Sequence, residues 1–181
     1  MKRMLAIVFS ILAVSAVAFA QGSAEIDKAL LAAPANLKDG ATVIHWKSDY
    51  TYDTLKKGTN KLVCYDRSGK PTHQAFDIEC TSSANLDRVA QTLKMEAISD
   101  KDARQKAFED AEKAGGWTKP EFGSVWFHFF GADQEHARRH ITVAVPGATS
   151  KTMGLPEDNK QGGVWIMNAG RSDAHLMTPG S

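Results

Sequence analysis

The chain has 181 residues, 43% of them hydrophobic, and its 22 basic and 21 acidic side chains give a formal charge of +1. This length suits one domain with a single core. No basic stripe could neutralise a phosphate backbone, so the composition argues against nucleic acid as a partner.

Residues 1–20 have the organisation of a cleavable signal peptide. Lys2 and Arg3 precede a short apolar run, and the segment ends at Ala20 in a small-x-small cleavage pattern. The run is shorter than the about 20 residues that a membrane span needs. We therefore expect export to the periplasm or beyond, without a stable membrane span after cleavage. The remaining 161 residues (181 less the leader's 20) carry a formal charge of −1 and are predicted to form one domain, 21–181.

The first half of this domain is predicted to hold one helix, Ala24–Ala33, followed by strands. In the last of these strands Asp77 and Glu79 alternate with apolar residues, so we expect them on a solvated face. His73, in the turn before this strand, is also expected to be solvated. The four strands are predicted over Thr42–Trp46, Tyr50–Leu55, Lys61–Asp66 and Ala75–Cys80.

The two cysteines are predicted to form a disulfide. If the turn between the third and fourth strands centres near Thr72, Cys64 lies directly opposite Cys80. Paired Cα atoms in an antiparallel hairpin are about 4.5–5.5 Å apart, within reach of a disulfide. The bridge would lie on the buried face. The alternative, a redox-active pair, is less favoured because the C-x-x-C motif is missing.

Two helices and four further strands are predicted in the second half. Apolar residues at helical spacing indicate one helix from Leu86 to Ala97, and the charged segment Lys101–Lys113 indicates a solvated second helix. Because strands and helices are segregated, we predict an α+β fold with a mostly antiparallel sheet, a central helical segment and one disulfide-linked hairpin. A long loop, Gly147–Gly163, is typical of a lid or a mobile segment. The later strands are predicted over Val125–Phe130, Ile141–Val145, Val164–Met167 and Ala174–Met177.

Several short motifs carry a resemblance to a known group of proteins. They are LKKGTNKLVCYD, a second Cys ahead of a helix, RRHITVAVP, and GGVWIMNAGRSDAHLMTPG. In these motifs the chain resembles exported bacterial proteins of unknown function. The resemblance implies one exported domain, draws attention to two histidines and brings no known activity. The matching positions are Gly58, Asn60, Cys64, Cys80, His140 and His175.

Histidines are the candidate metal ligands, because neutral imidazole is the commonest one in proteins. His136 and His140 would share a face if residues 134–139 were helical, but Ala137 excludes an H-E-x-x-H peptidase motif. If the segment is extended instead, His140 would share a face with Thr142 and Ala144. No cofactor is evident, and the alternative left open is a divalent metal held by His140, His175 and His136. His128, among aromatic neighbours, is predicted to be a core residue.

A second candidate site is an anion site at Arg138 and Arg139, since guanidinium groups suit carboxylate or phosphate. The alternative is a pair of surface arginines bonded to nearby acidic residues. Asp173 could orient His175, whereas a Ser172–Asp173–His175 triad is disfavoured because neighbours on a strand point to opposite faces.

These observations lead to three hypotheses. The favoured one is an exported, non-catalytic envelope protein that binds a small molecule or an envelope protein, with its pocket near the His140 and His175 strands and under the Gly147–Gly163 loop. The main alternative is a metal-dependent enzyme that uses His140 and His175. The third is a structural interaction module of the envelope without a pocket. The ligand-binding candidates are His140, His175, Arg138, Arg139 and Asp173.

Overall fold

The computed structural model describes residues 22–178, so the predicted signal peptide lies outside the described residues. In this range no helix is both long enough and apolar enough to cross a membrane.

All eight strands of the described chain belong to one sheet. The strands are β1 (Thr42–Trp46), β2 (Tyr52–Lys56), β3 (Leu62–Asp66), β4 (Phe76–Ser82), β5 (Val125–Gly131), β6 (Arg138–Ala144), β7 (Trp165–Met167) and β8 (His175–Met177). Their order across the sheet is β2-β1-β3-β4-β5-β6-β8-β7. Only β1 and β3 run parallel, and every other neighbouring pair is antiparallel. The predicted α+β class with a mostly antiparallel sheet is therefore confirmed.

Helices cover both faces of the sheet. The helix predicted over Lys101–Lys113 agrees with the structure at both ends, and none of its residues is buried, as its charged composition indicates. Its first turn is capped by Asp100, whose carboxylate accepts a hydrogen bond from Ala103 N at 2.7 Å. The helices are α1 (22–29, continued by a 3-10 turn at Leu30–Ala32), α2 (Ala35–Lys38), α3 (Leu86–Glu96), α4 (Lys101–Lys113) and α5 (Ser150–Met153).

Strands β1 and β3 are buried on both sides, because a different helix packs on each face. On one face α1 and its 3-10 turn cover a cluster that includes Val43 and Ile78. On the other face Val89 and Leu93 of α3 pack against a cluster that includes Trp46. The sheet is therefore the middle layer between α1 and α3.

The predicted disulfide is present on the α1 face of the hairpin. Cys64 and Cys80 are directly opposed in the register of β3 and β4, and they are bonded. Both residues are fully buried. The hairpin pairing and the buried position of the bridge are confirmed.

The prediction that Asp77 and Glu79 face solvent is wrong. They lie on the α3 face of β4, where Asp77 is 5% and Glu79 1% exposed. The side chain of His73, also predicted to be solvated, is only 4% exposed. These polar groups are buried because α3 covers this face and because Arg67 supplies a counter-charge to both carboxylates.

The Gly-Thr-Asn turn at residues 58–60 has a structural explanation. The carbonyl of Gly40 accepts hydrogen bonds from Thr59 N at 2.8 Å and Asn60 N at 3.0 Å. A Cβ on Gly58 would lie 2.2 Å from that carbonyl oxygen and 2.5 Å from the carbonyl carbon of Ala41. Only glycine fits where the β2–β3 connection crosses the segment that leads into β1.

We expect Gly58→Ala to lower the free energy of unfolding by about 3 kcal/mol, because the added methyl group overlaps backbone atoms. Urea unfolding measures this loss. Gly116→Ala is the control, since a Cβ there meets no atom within 4 Å. Equal stability of the two variants would contradict the close-approach explanation.

We expect the Cys64→Ala/Cys80→Ala variant to lose about 3 kcal/mol, since the bridge closes a loop over a sequence separation of 16 residues. Urea unfolding with and without reductant measures the effect. Reductant should destabilise the wild type and leave the double variant unchanged. A wild type that is insensitive to complete reduction would show that the bridge adds no stability.

Candidate functional site

A cavity of about 250 Å³ lies between α3 and the sheet. Its floor is formed by β4, β5, β6 and β8, and its roof by α3 and residues 117–120. The Gly147–Gly163 loop does not contribute to the lining, so the roof differs from the predicted one. The lining residues are Arg67, Glu79, Arg88, Val89, Thr92, Leu93, Trp117, Pro120, Trp126, His128, Thr142, Ala144, Asp173, Ala174 and His175.

A larger recess of about 540 Å³ lies beside the 3-10 turn and residues 33–38. It includes Arg139 and His140, but it lacks the buried carboxylate and the paired charges of the first cavity. We take the smaller cavity as the candidate site because buried charged groups converge there, and such convergence is typical of ligand sites.

The strand register brings histidines onto the cavity side of the sheet. Glu79 is paired with His128, and His128 with His140. Directly paired residues in an antiparallel sheet point to the same face. The His128 and His140 rings are 6.0 Å apart between centroids. His175, paired with Ala144, lines the same cavity.

Burial lowers the pKa of His140, and the proximity of His128 and His175 lowers it further. The Nε2 atom of His140 is buried and has no hydrogen-bond partner among the described residues. His140 therefore supports the floor next to the cavity, whereas His128 and His175 form part of the lining.

Glu79 is the central charge of the site. Arg67 Nη1 lies 2.8 Å from Glu79 Oε2, His128 Nδ1 lies 3.0 Å from the same oxygen, and the Tyr65 hydroxyl donates to Oε1. Burial alone would raise the pKa of Glu79, but Arg67 and then His128 outweigh it and lower the pKa to about 2. The carboxylate is therefore ionised at neutral pH.

The contact with Glu79 sets the tautomer of His128. Because an ionised carboxylate only accepts hydrogen bonds, Nδ1 of His128 carries a proton and Nε2 of the neutral ring is an acceptor. A carboxylate behind a histidine also fixes the orientation of its ring. His128 is thus a functional candidate that sequence reasoning assigned to the core. The sequence pattern did not indicate this role, because only the pairing of β4 with β5 brings Glu79 to His128.

The charged network continues from Glu79 to the end of α3. Arg67 Nε lies 3.4 Å from Asp77 Oδ1, and His73 bridges Asp77 Oδ2 and Glu96 Oε2 at 3.0 and 2.9 Å. Burial lowers the pKa of His73, but the hydrogen bonds to Asp77 and Glu96 outweigh it and raise the pKa. The network holds α3 against the β3–β4 hairpin. It therefore sets the distance between the cavity roof and the sheet.

The roof is held by two side chains of α3. Arg88 Nη1 donates to the Thr118 carbonyl at 2.6 Å, and its guanidinium group lies 3.8 Å from the Trp117 ring centroid. Gln91 accepts from Thr118 N at 2.8 Å and donates to the Gly116 carbonyl at 3.3 Å. Burial lowers the pKa of Arg88 to about 10.

Asp173 contacts His175 through its backbone. The Asp173 carbonyl accepts a hydrogen bond from His175 Nδ1 at 2.8 Å, which leaves Nε2 of the neutral ring as an acceptor. The Asp173 carboxylate is instead bonded to Arg171 Nε at 3.0 Å and Asn168 Nδ2 at 2.8 Å.

The other predicted site residues lie apart from the cavity. Of the two conformations considered for residues 134–139, the helical one is absent, because β6 begins at Arg138 and His136 lies in the preceding turn. His136 is bonded to Asp133 at 2.8 Å and is not brought to His140. Arg138 and Arg139 are exposed, and Arg139 lies over the Phe129 ring at 4.5 Å. Within residues 22–178, no three His, Cys, Asp or Glu side chains are grouped so that they could hold a metal ion.

Comparison of the chain with protein-family models, with curated proteins and with solved structures found no match in any of the three.

We expect Glu79→Gln to lower the free energy of unfolding by about 3–5 kcal/mol at pH 6, because it leaves Arg67 and His128 without their shared counter-charge. The folded-state pKa of Glu79, about 2, is below its ordinary value of 4.5. Its stabilising effect is therefore fully present above about pH 4.5 and is lost as the pH falls towards 2.

Urea unfolding at pH 6 and pH 3 measures the difference between this variant and the wild type. The difference should be smaller at pH 3. Glu135→Gln, at an exposed carboxylate, is the control and should change stability little at either pH. A Glu79→Gln penalty that is independent of pH would contradict an ionised Glu79.

Proposed function

We propose that this protein is an exported domain of the cell envelope that binds one small molecule in the cavity between α3 and the sheet. The observation that carries the proposal is the convergence, at one cavity, of a buried charge network with two tryptophans and two histidines.

The size and lining of the cavity support a small ligand. Its volume of about 250 Å³ is close to the lower end of the range of about 300–1,000 Å³ that is typical of ligand pockets. Trp117, Trp126 and Leu93 supply apolar walls, while His128 and His175 supply hydrogen-bonding groups. Mostly apolar walls with a few fixed polar groups are typical of small-molecule sites.

The rigidity of the floor supports binding with little rearrangement. His128 is held by Glu79, and His175 is held by the carbonyl of Asp173. Side chains that are already fixed lose little conformational freedom when a ligand binds, and this preorganisation increases affinity.

The disulfide and the N-terminal segment support export. A disulfide between Cys64 and Cys80 is stable in oxidising compartments such as the periplasm or the extracellular space. Residues 1–20, outside the described residues, have the sequence pattern of a signal peptide.

A variant that fills the cavity tests the proposal. Thr92 lines the cavity from α3, so we expect Thr92→Phe to abolish binding of molecules that the wild type accepts. The measurement is a ligand-observed NMR screen with benzoate, phenol, indole, benzylamine and isobutyramide. Lys94→Phe, at an exposed position of the same helix, is the matched control and should bind as the wild type does.

Circular dichroism first confirms that both variants are folded. Probes that bind Thr92→Phe as well as the wild type would place binding outside the cavity. A wild type that binds none of the probes would contradict a preformed small-molecule site.

A further inference from the structure

The cavity contains one cationic group that has no close counter-charge. Arg67 is paired with Glu79 at 2.8 Å, and Asp173 is paired with Arg171 at 3.0 Å. Arg88 is only 6% exposed and makes no ion pair within 4 Å among residues 22–178. The acidic groups that act on it, Asp173 and Glu112, are more distant.

Arg88 and the neighbouring Trp117 have hydrogen-bond donors without acceptors among the described residues. Among the described residues, Arg88 donates one side-chain hydrogen bond, from Nη1 to the Thr118 carbonyl. A guanidinium group carries five N–H donors, so most of them remain available. Trp117 is 8% exposed, lines the cavity, and its indole N–H is buried without an acceptor in the described chain.

From this geometry we propose that the cavity binds a small organic monocarboxylate, with its carboxylate on Arg88 and its apolar body between Trp126 and Leu93. This inference rests on the proposed function, since it names the ligand class of the same cavity. A carboxylate supplies both the missing negative charge and the missing acceptors, and its planar shape matches the fork of a guanidinium group.

The surroundings of Arg88 favour one negative charge. Trp117 covers one face of the guanidinium group and leaves the N–H groups at its edge for a coplanar carboxylate. Asp173 also lines the cavity and repels any second negative charge on a ligand. Burial lowers the pKa of Arg88 to about 10, consistent with a charge that lacks a counter-ion.

Isothermal titration of the disulfide-bonded protein with four matched probes tests this inference. The probes are benzoate, benzamide, phenyl phosphate and benzylamine, which share a ring and differ in charge. We expect benzoate to bind at least about tenfold more tightly than benzamide, as a hydrogen-bonded charge pair predicts. Phenyl phosphate, which carries a second charge, and benzylamine should bind more weakly than benzoate.

Variants at Arg88 assign the carboxylate contact. Arg88→Gln should remove the preference for benzoate over benzamide, and Arg88→Lys should keep a preference at lower affinity. Arg88→Lys retains the positive charge that holds the roof. If Arg88→Gln is unfolded, the affinity of Arg88→Lys for benzoate and benzamide therefore tests the carboxylate contact. Arg139→Gln, at an exposed arginine outside the cavity lining, is the control and should bind benzoate as the wild type does.

The outcomes separate this inference from the proposed function. Binding of benzamide or benzylamine in preference to benzoate, blocked by Thr92→Phe, would overturn the monocarboxylate and keep the cavity as a ligand site. A benzoate preference that survives in Arg88→Gln would also overturn it, as would its loss in Arg139→Gln. If none of the four probes binds, the monocarboxylate is overturned, and the wider NMR screen decides the proposed function alone.

Discussion

A carboxylate that is 1% exposed, as Glu79 is, stays ionised in a protein interior only when close counter-charges and donors replace water. Tyr65, Arg67 and His128 fill this role, and they come from β3, from the residue after β3 and from β5. Satisfying one carboxylate therefore fixes the relative positions of three neighbouring strands. It also sets the orientation of His128, on which the polar character of the cavity floor depends.

The two faces of the sheet differ in composition and in role. The α1 face holds apolar residues and the Cys64–Cys80 bridge, which stabilise the fold. The α3 face combines an apolar cluster around Trp46 with the charged network and the cavity. Strand β4 serves both faces, because its cysteine and its carboxylate alternate along one chain. The disulfide-linked β3–β4 hairpin thus carries the buried charged groups of the site, whose removal from water costs free energy.

Local contacts were the part of the fold that sequence reasoning could predict. The pairing of Cys64 with Cys80 depends on one turn, and the limits of α4 depend on its own cap and charges. For the same reason the common face of His140, Thr142 and Ala144 was predictable once the segment around His140 was taken as extended.

The site itself depends on contacts between distant segments. Glu79 and His128 are 49 positions apart, with both long helices between them, so their pairing leaves no periodic signal in the sequence. Alternation of Asp77 and Glu79 with apolar residues is typical of a solvated face, and only the position of α3 shows that this face is covered. Likewise, the contact between Arg88 and Trp117 depends on how α4 returns the chain to α3.

The order of the strands has a consequence for contacts between molecules. The outermost strands of the sheet are β2 and β7. A bare strand edge offers unpaired backbone groups to other chains. Here β2 carries the charged residues Asp53 and Lys56, and β7 is only three residues long. Neither edge strand therefore favours pairing with a strand of another molecule. We expect the sheet to end at β2 and β7 and not to continue from molecule to molecule as in a fibre.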